Sequence, residues 1–449
     1  MTSLPEHPER VSLRTLFLFF IPLGVSAVLI NLSHVIINGT LARADDPELV
    51  IAGYATAMSL LTVSERPAVL FRETCSALVR DRVSYRAILK VAFIVFGASL
   101  VFGAMIGYTP VGTLVFAGAY GAEPEVADAA VNVYHVLMFL SIFSGIRCLY
   151  QGVIIYKMRT RWLTIGMVFR LGGMFLMAQY IMHIGVTSST QGAVIFVFGM
   201  MIEAFVSWLE GRNLARKLPP ESPECEVQSP RQILRFYNPL LFSSFIVVWV
   251  PPILNALLGN TDRGTLSISS FAVAGSLTNL CLGFFTYFHQ IALQFYRTDP
   301  GQVKRFVLLI GFTPAILLTT FAFTPAGEWM LTHLLGVEGR LLTESMVALR
   351  GFIPFVLIFP WLDTLNGIIL SKGQTKLMFG SQTGNAVVTT ALIVVLTISL
   401  PAWTGILGAL AQSGGMIAEL GLLYWLFRRA MKTEVLDTLT AMPGEDTAR

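Results

Sequence analysis

The stretch RTLFLFFIPLGVSAVLINLSHVIINGTLARADDPELVIAGYATAMSLL, residues 14–61, occurs in this chain in two versions. Shifted by 217 positions, it aligns without a gap with residues 231–278, and fifteen of the 48 pairs are identical. The identical pairs include polar and helix-bending residues, among them Pro22/Pro239, Ser26/Ser243, Asn38/Asn255 and Ser59/Ser276. Each version has the pattern of an apolar helix with a proline, a short polar turn and a second apolar helix.

A second similarity appears further along the chain, at an offset of 215 positions. It pairs glycine, isoleucine, lysine and threonine residues in the same order, namely Gly152, Ile154, Lys157 and Thr160 with Gly367, Ile369, Lys372 and Thr375. The offsets of the two pairs of segments, 217 and 215 positions, differ by only two, which indicates an internal duplication. Each copy is about 215 residues long.

The composition favours a membrane protein over a soluble globular protein. Of 449 residues, 54% are hydrophobic and only 13% are charged, and apolar runs of roughly 20 residues can cross a bilayer as helices. The net charge of +4 does not indicate a nucleic-acid partner, because the basic residues lie in short loops between apolar runs. The four cysteines are scattered singly, which favours neither a disulfide framework nor a zinc site. The sequence indicates no cofactor.

The pattern of apolar runs predicts an all-α polytopic membrane protein of twelve transmembrane helices. The predicted spans are residues 12–37, 48–70, 87–108, 129–156, 162–184, 190–209, 232–258, 265–291, 304–324, 343–371, 376–400 and 403–428. Six spans per copy place the start of both copies on the same side of the membrane. The duplication therefore predicts two parallel six-helix lobes, related by an axis along the membrane normal. The first run is half of the repeat and lacks a small-residue cleavage site, so it is not a removable signal peptide.

Basic residues predict the orientation and the domain boundaries. Lysines and arginines concentrate in alternate loops, and the rule that such loops are cytoplasmic places both termini in the cytoplasm, in a cytoplasmic or plasma membrane. The polar, proline-rich segment KLPPESPECEVQSP separates the two copies. The predicted domains are an N-terminal lobe (1–216), a cytoplasmic linker (217–230), a C-terminal lobe (231–430) and a loose cytoplasmic tail (431–449).

Several segments resemble the MOP exporter superfamily, which includes the multidrug and toxin extrusion (MATE) transporters. The segments PELVIAGYATAMSLL (residues 47–61), LVRDR (78–82), PLG (22–24) and LNGIILSKGQTK (365–376) are similar to the progressive ankylosis (ANK-type) branch of MATE-like proteins. Many MATE transporters have an acidic residue in the first span as a cation-coupling site. Here the polar residues of that span are Ser26, Asn31, Ser33, His34 and Asn38.

The resemblance implies a secondary-type exporter that moves an anionic or amphipathic small molecule outward by alternating access between two lobes. A coupling ion, H⁺ or Na⁺, is a possible partner besides the substrate and the lipid bilayer. The alternative within transport is a flippase for a lipid-linked or phosphate-bearing lipid. A membrane scaffold or membrane enzyme is the rival class, but the sequence contains no Walker motif, HExxH or nucleophile elbow.

Four charged residues lie deep inside predicted spans. At a rise of 1.5 Å per residue, Arg147, Arg170 and Glu203 each lie about 12–15 Å from the basic residue at the inner end of their span, and Asp363 lies at a similar depth in the second copy. An ionisable side chain at this depth costs roughly 2.5–3.5 kcal/mol, so it requires a partner, water or a functional role. These four residues are therefore candidates for a substrate or ion cavity.

Each candidate also has a structural interpretation that the sequence leaves open. Arg170 and Glu203 can form an ion pair within the first lobe, Arg147 can pack on helix-end carbonyls or snorkel, and Asp363 can cap a broken helix near Pro360. Asn31 and His34 in the first span, and Arg66 in the second, complete the candidate cavity. His34 is also a candidate proton-sensitive group in place of the missing acid, although a hydrogen-bonded core histidine explains it equally well.

The charge count of the first lobe predicts the character of the substrate. Arg147, Arg170 and Arg66 face a single acid at membrane depth, Glu203, so at least one cation is unmatched if all of them point inward. If Glu203 neutralises Arg170, the unmatched residue is Arg147. We therefore expect a water-filled cavity at Arg147 and an anionic substrate, which a guanidinium can hold through two hydrogen bonds.

Overall fold

The computed structural model describes residues 11–41, 43–119, 124–222, 227, 229–259, 261–335 and 337–441. Within them the secondary structure is helical. The first part contains α1 (Leu13–Leu41), α2 (Pro47–Ser64), α3 (Arg66–Val69), α4 (Phe71–Leu78), α5 (Arg82–Tyr108), α6 (Val111–Thr113), a π-helical turn (Leu114–Ala119), α7 (Pro124–Leu137), α8 (Leu140–Tyr156), α9 (Arg161–Ile184) and α10 (Ser189–Arg216). The second part contains α11 (Pro230–Leu258), α12 (Gly264–Gly283), α13 (Phe288–Phe295), α14 (Pro300–Ile310), α15 (Thr313–Phe323), α16 (Pro325–Leu335), α17 (Gly339–Gly351), α18 (Ile353–Ser371), α19 (Thr375–Ser399) and α20 (Ile406–Ala441).

The length and apolarity of these helices confirm a multi-pass membrane protein. Among the described residues, ten helical segments are long and apolar enough to cross a bilayer. An eleventh span results if α7 and α8, which bend by 43° where they meet, are counted as one. The apolar part of α2, Leu49–Ser64, is shorter than a typical span. The count of twelve transmembrane helices therefore remains a prediction.

The helix boundaries repeat at the offsets seen in the sequence. Helices α4 and α13 begin and end 217 positions apart, and helices α8 and α18 end 215 positions apart. The turns after α8 and α18 are also the same: Arg159 N–H donates to Ile154 O, and Gln374 N–H donates to Ile369 O. These are the hydrogen bonds of a Schellman cap, in which the residue after the helix is left-handed. That residue is Met158 (φ 58°) in one turn and Gly373 (φ 71°) in the other.

The described chain forms two compact units. Unit 1 comprises Met1–Phe245, Gly283–Tyr287 and Arg297–Gln302, and unit 2 comprises Ile246–Leu282, Phe288–Tyr296 and Val303–Arg449. In unit 1, apolar side chains of α2, α7 and α10 form a continuous buried core. In unit 2, the corresponding helices α12, α17 and α20 form a core together with α15 and α18. Helices α10 and α20, whose segments GMMIE (199–203) and GMIAE (415–419) lie 216 positions apart, thus contribute to the two cores.

A small residue is required at the same helix contact in both units. A Cβ at Gly152 on α8 would clash with Cys75 and with the backbone of Arg72 on α4. A Cβ at Gly367 on α18 would clash with the backbone of His289 and with Ala292 on α13. The sequence repeat pairs these two glycines. In each unit the glycine allows the backbones of two helices to approach closely, α8 and α4 in unit 1 and α18 and α13 in unit 2.

The linker and tail differ in detail from the prediction. Residues 217–222 are held to the turn before α5, because Arg82 N–H donates to Pro219 O and Ser222 N–H donates to Asp81 Oδ2. Residues 223–226 and 228 of the linker lie outside the described residues. Helix α20 continues to Ala441, so the first part of the tail expected at 431–449 is helical, and residues 442–449 lie outside the described part. The boundaries of the two lobes otherwise remain predictions.

Candidate functional site

Three of the predicted charges of unit 1 meet at one buried point. Arg170 Nη1 lies 2.9 Å from Glu203 Oε2, and Arg147 Nη1 lies 3.3 Å from Glu203 Oε1. Gln151 Nε2 donates a third hydrogen bond to Glu203 Oε1 at 2.9 Å. Arg147 is 7% exposed and both Arg170 and Glu203 are 2% exposed. The Arg170–Glu203 ion pair considered from the sequence is therefore present, at the common depth that the helical rise predicts.

Arg147 is not the unmatched cation that the sequence count predicts. Besides Glu203, a second carboxylate lies near it, because Glu65 Oε1 is 4.0 Å from Arg147 Nη2. Ser144 links the two, accepting a hydrogen bond from Arg147 at 3.2 Å and donating one to Glu65. The count from the sequence went wrong because it left out Glu65, at the junction between α2 and α3. Two arginines and two glutamates give this cluster a formal charge of zero.

The other candidates of the first lobe lie beside this cluster or apart from it. His34 is half-buried on α1, and its ring lies 5.7 Å from the ring of Phe196, over which the Arg170 guanidinium also lies, at 5.1 Å. Arg66 begins α3 and takes no part in the hydrogen bonds and ion pairs of the cluster within the described chain. Asn31 belongs to α1, and its side chain lies outside the described atoms.

Asp363 stabilises a helix break in unit 2. Its carboxylate accepts the backbone N–H of His289 at 2.8 Å, and its oxygens lie 3.1 Å from the His289 ring Nδ1. His289 lies in the first turn of α13, just after the non-helical residues that follow α12. Asp363 therefore caps the start of α13, and not a break near Pro360, because α18 runs as one helix from Ile353 to Ser371 with Pro360 inside it. Asp363 also lines a cavity of the same unit.

The cavity of unit 2 has a volume of about 280 Å³. One part of its wall is apolar, formed by Val247, Val250, Pro251, Phe355, Phe359, Leu362 and Met416. The other part is polar, formed by Asp363, Asn366, Gln382, Asn385, Gln412 and Glu419. Among the described residues that line it, two are acidic and none is basic. Asn366 Oδ1 and Gln382 Oε1 are buried there without a hydrogen-bond partner in the described structure.

Glu419 is the residue of this wall that the sequence interpretation missed. It is 4% exposed and lies near the middle of the apolar segment Ile406–Ala430 of α20. Its Oε2 accepts a hydrogen bond of 2.6 Å from Asn385 Nδ2, the one partner it has within the described residues. Asn385 is held in turn by Thr389, whose hydroxyl donates to Asn385 Oδ1 at 2.9 Å. Within the described residues, no cationic side chain forms an ion pair with this carboxylate.

A glycine one turn before Glu419 explains how the two helices approach so closely. A Cβ at Gly415 would overlap Thr389 Oγ1 and Asn385 Oδ1, so α20 can press onto α19 only without a side chain there. The same arrangement exists in unit 1, where a Cβ at Gly199 on α10 would overlap Met174 on α9. The two glycines and glutamates form the segments GMMIE (199–203) and GMIAE (415–419), 216 positions apart. Aligning these segments would have identified Glu419 from the sequence.

The donor set of the unit 2 cavity suits a cation. Two carboxylates and several amide oxygens face a small space, and oxygen ligands of this kind bind protons, alkali cations and ammonium groups. No group of three or more His, Cys, Asp or Glu side chains in the described chain is arranged to hold a metal ion. The geometry therefore supports binding of a single positive charge, or of a proton, together with an apolar group.

Comparison with solved structures places this arrangement in a known fold. No protein-family model matches the chain, and no curated protein sequence does. A MOP superfamily transporter from Pyrococcus furiosus, described as having a binding pocket of reversed polarity, matches with a TM-score of 0.74 and 14% identity, over 93% of this chain and 95% of that one. An outward-facing multidrug resistance MATE family transporter of the MOP superfamily matches with the same TM-score, identity and coverages. A MATE in complex with MaD3S matches with a TM-score of 0.73 and 14% identity, over 94% of this chain and 96% of that one. The chain therefore has the fold of MATE-type transporters of the MOP superfamily.

Proposed function

We propose that this protein is a secondary-type exporter that moves an amphipathic small molecule outward by alternating access, coupled to H⁺ or Na⁺. The observation that carries the proposal is Glu419, a buried carboxylate in the wall of the unit 2 cavity whose described partner is a neutral amide. The likeness in fold to MATE transporters supports transport as the class of function. The resemblance to the ANK-type branch remains a prediction.

Glu419 is the proposed coupling residue. An ionised carboxylate near the middle of a membrane span costs roughly 2.5–3.5 kcal/mol on insertion scales, and that cost falls when a proton or cation shares the site. Binding and release of H⁺ or Na⁺ at Glu419 would therefore change the stability of the state in which the cavity is closed to water. A ligand can shift such an equilibrium only by its differential affinity for the two states.

The proposed substrate is apolar with a cationic or hydrogen-bond-donating group. The lining of the cavity combines apolar side chains with amide and carboxylate side chains. The anionic class expected from Arg147 loses its basis, because Glu203 and Glu65 neutralise the arginines of unit 1. A volume of about 280 Å³ suits a small molecule or one end of a larger one.

The predicted residues have different parts in this proposal. Asp363 lines the substrate and ion cavity, whereas Arg147, Arg170 and Glu203 hold α8, α9 and α10 together. For Asn31, His34 and Arg66 we retain the proposal of a polar surface in the first lobe. His34 is retained as a candidate proton-sensitive group, so His34→Gln is expected to change the pH dependence of transport. An unchanged pH profile would remove His34 from the coupling mechanism.

The experiment is gradient-driven transport by the purified chain in liposomes. The probe is ethidium, a flat apolar cation, and an inside-acid proton gradient or an outward Na⁺ gradient from Na⁺-loaded liposomes supplies the driving force for its uptake. The parent protein is expected to move ethidium only when one of the gradients is imposed. Glu419→Gln keeps the size and the hydrogen bond to Asn385 but removes the charge, and it is expected to abolish gradient-driven movement.

Two controls make the experiment decisive. Glu328→Gln changes an exposed glutamate of α16 in the same unit and is expected to transport like the parent. Parallel assays with fluorescein, an anionic probe, and with a fluorescent phospholipid test the anionic class and the flippase alternative. Transport of the phospholipid or of fluorescein in preference to ethidium, or undiminished ethidium transport by Glu419→Gln, would contradict the proposal.

A further inference from the structure

A second cavity, of about 420 Å³, lies in unit 1 at the end of the helices that the sequence places in the cytoplasm. Four arginines stand around it in the described structure: Arg82, Arg86, Arg212 and Arg216. Tyr85 and Tyr150 form part of its lining, and no acidic side chain is among the described residues that line it. Four cations in one concave site, with no acidic side chain among its described lining residues, attract an anion from outside the chain.

The arginines are presented by helix ends that are held in place. Asp81 and Ser84 form a capping box that begins α5, next to Arg82. Arg82 Nε donates to Leu218 O at 3.0 Å and its Nη2 to Arg216 O at 2.8 Å, which ties α5 to the residues at and after the end of α10. The Arg212 guanidinium lies 5.0 Å above the ring of Trp208.

The remaining two arginines have their donors available. Arg86 and Arg216 are exposed, and neither donates a hydrogen bond in the described chain. Each guanidinium can give a phosphate group two parallel hydrogen bonds, which matches the geometry of phosphate oxygens. The cavity floor is fixed by close packing, since a Cβ at Gly211 on α10 would clash with Tyr150 on α8.

The surface next to the arginines is apolar and exposed. Leu89 lines the cavity one turn after Arg86, and Phe93, a further turn along α5, is 82% exposed. On α10, Phe205 and Leu209 are 56% and 49% exposed, within two turns of Arg212. Phe93 lies about 10 Å from Arg86 along the helix axis. A ligand with a phosphate group and a hydrocarbon chain matches both surfaces at once, whereas a soluble phosphate matches only the arginines.

We propose that the four arginines bind the phosphate headgroup of an anionic phospholipid, whose acyl chains lie on the exposed apolar faces of α5 and α10. Basic pockets between membrane helices on the cytoplasmic side are suited to such headgroups. The site lies in unit 1, whereas the proposed transport cavity lies in unit 2. The full set of four is not repeated in the second copy: Arg428 and Lys432 stand 216 positions after Arg212 and Arg216, but Asp299 and Val303 stand 217 positions after Arg82 and Arg86.

The test is lipid binding by the full-length chain in detergent, measured by native mass spectrometry. Phosphatidylglycerol and phosphatidylcholine with identical acyl chains are titrated separately. At about fivefold in affinity for each arginine near an anionic headgroup, Arg86→Gln/Arg216→Gln is expected to weaken phosphatidylglycerol binding roughly 25-fold. The matched control is Arg161→Gln/Arg305→Gln, which removes two exposed arginines elsewhere and is expected to change the affinity less than twofold.

A third titration identifies the source of the phosphate. Glycerol 1-phosphate is added to the complex with phosphatidylglycerol, and it is expected not to displace the lipid at equal concentration. Displacement would assign the cavity to a soluble phosphate and overturn the lipid assignment. Equal binding of phosphatidylcholine, or equal affinity of the parent and the double variant, would overturn the proposal altogether.

Loss of the fold is distinguished from loss of the site by a second variant. Arg86→Lys/Arg216→Lys keeps both charges but not the paired hydrogen bonds, and it is expected to bind phosphatidylglycerol with intermediate affinity. The thermal unfolding midpoint without added lipid is expected to be the same for the parent and both variants, because neither side chain makes a described hydrogen bond. Ethidium transport is measured separately, so failure of either proposal leaves the other one testable.

Discussion

Glu203 and Glu419 occupy similar positions in two similar helix pairs, but their carboxylates have opposite surroundings. In unit 1, Glu203 on α10 faces Arg170 on α9, and Arg147 approaches from α8. In unit 2, Glu419 on α20 faces Asn385 on α19, the residue 215 positions after Arg170. A neutral amide thus replaces a cation at the repeat-related position.

The difference shows how a duplicated scaffold can divide structural and functional roles. In unit 1 the carboxylate is neutralised by arginines, and the resulting cluster binds three helices together. Removing one partner from such a buried cluster leaves an uncompensated charge, which is strongly destabilising. The charges of the cluster therefore keep the three helices in contact. In unit 2 the carboxylate of Glu419 has no cationic partner among the described residues, and it lines a cavity. We propose that a bound ion or substrate supplies the compensating positive charge there.

The largest expected effect comes from making unit 2 resemble unit 1. Asn385→Arg would place a guanidinium beside Glu419. The new positive charge would neutralise the carboxylate, and the longer side chain would occupy part of the 280 Å³ cavity. We expect ethidium transport to fall to the level of empty liposomes while the protein remains folded. Asn385→Gln, which keeps an amide, is the control and should retain most of the activity. Full transport by Asn385→Arg would show that the charge of Glu419 is not used.

The reverse change, loss of a cation in unit 1, is expected to affect stability. Arg170→Gln leaves Glu203 with less compensation in a buried site, at a cost of about 3–5 kcal/mol. The thermal unfolding midpoint in detergent is expected to fall strongly, and the double variant Arg170→Gln/Glu203→Gln should recover much of the loss because the cluster is again neutral. Arg161→Gln, an exposed change on the same helix, should have an effect within about 0.5 kcal/mol. A midpoint for Arg170→Gln equal to that of Arg161→Gln would contradict the structural role.

The two glycines before the glutamates allow a finer comparison. Gly415→Ala places a methyl group against Thr389 and Asn385, including the Asn385 backbone O at 3.1 Å, and should destabilise unit 2 by about 1–3 kcal/mol. Gly199→Ala meets the flexible side chain of Met174, which can move, so we expect a smaller loss.

Gly97→Ala supplies the control for this pair, because nothing lies within 4 Å of its Cβ position. It should be neutral or stabilising, since alanine is favoured over glycine in a helix by about 1 kcal/mol. Thermal unfolding of the three variants tests the order. A larger loss for Gly199→Ala than for Gly415→Ala would mean that close packing matters more in unit 1.

The smallest expected effect lies at the matching turns after α8 and α18. Met158 has a φ of 58°, where a side chain costs about 1–2 kcal/mol, whereas unit 2 has Gly373 at the same place. Met158→Gly removes that strain, but it also makes the unfolded chain more flexible by about 0.4–1 kcal/mol. A net stabilisation of about 0.5 kcal/mol is expected, and Gly373→Met should be destabilising. A lower unfolding midpoint for Met158→Gly, or a higher one for Gly373→Met, would contradict the assignment of strain.

Much of the fold followed from the sequence because its signals are local or periodic. Apolar runs of membrane-spanning length predicted most of the long helices, and the repeat paired segments that the structure shows at equivalent helix ends, such as those of α8 and α18. Residue number also predicted depth, since each residue adds 1.5 Å along a helix axis. That relation put Arg147, Arg170 and Glu203 at one level, where the structure brings them into contact.

Whether each buried charge is compensated was decided by the tertiary structure. Depth depends on residue number alone, but the direction of a side chain depends on rotation about the axis, at 3.6 residues per turn, and on which helix packs opposite. Glu65 neutralises the arginines of unit 1 because the junction of α2 and α3 lies against α8, and Glu419 faces a cavity because Gly415 lets α20 approach α19. The sequence by itself determined the apolar helical character, the internal repeat and the depth of three charges of the first copy. Only packing determined which charges have a charged partner in the described structure, because electrostatic compensation acts over a few ångströms between helices distant in sequence.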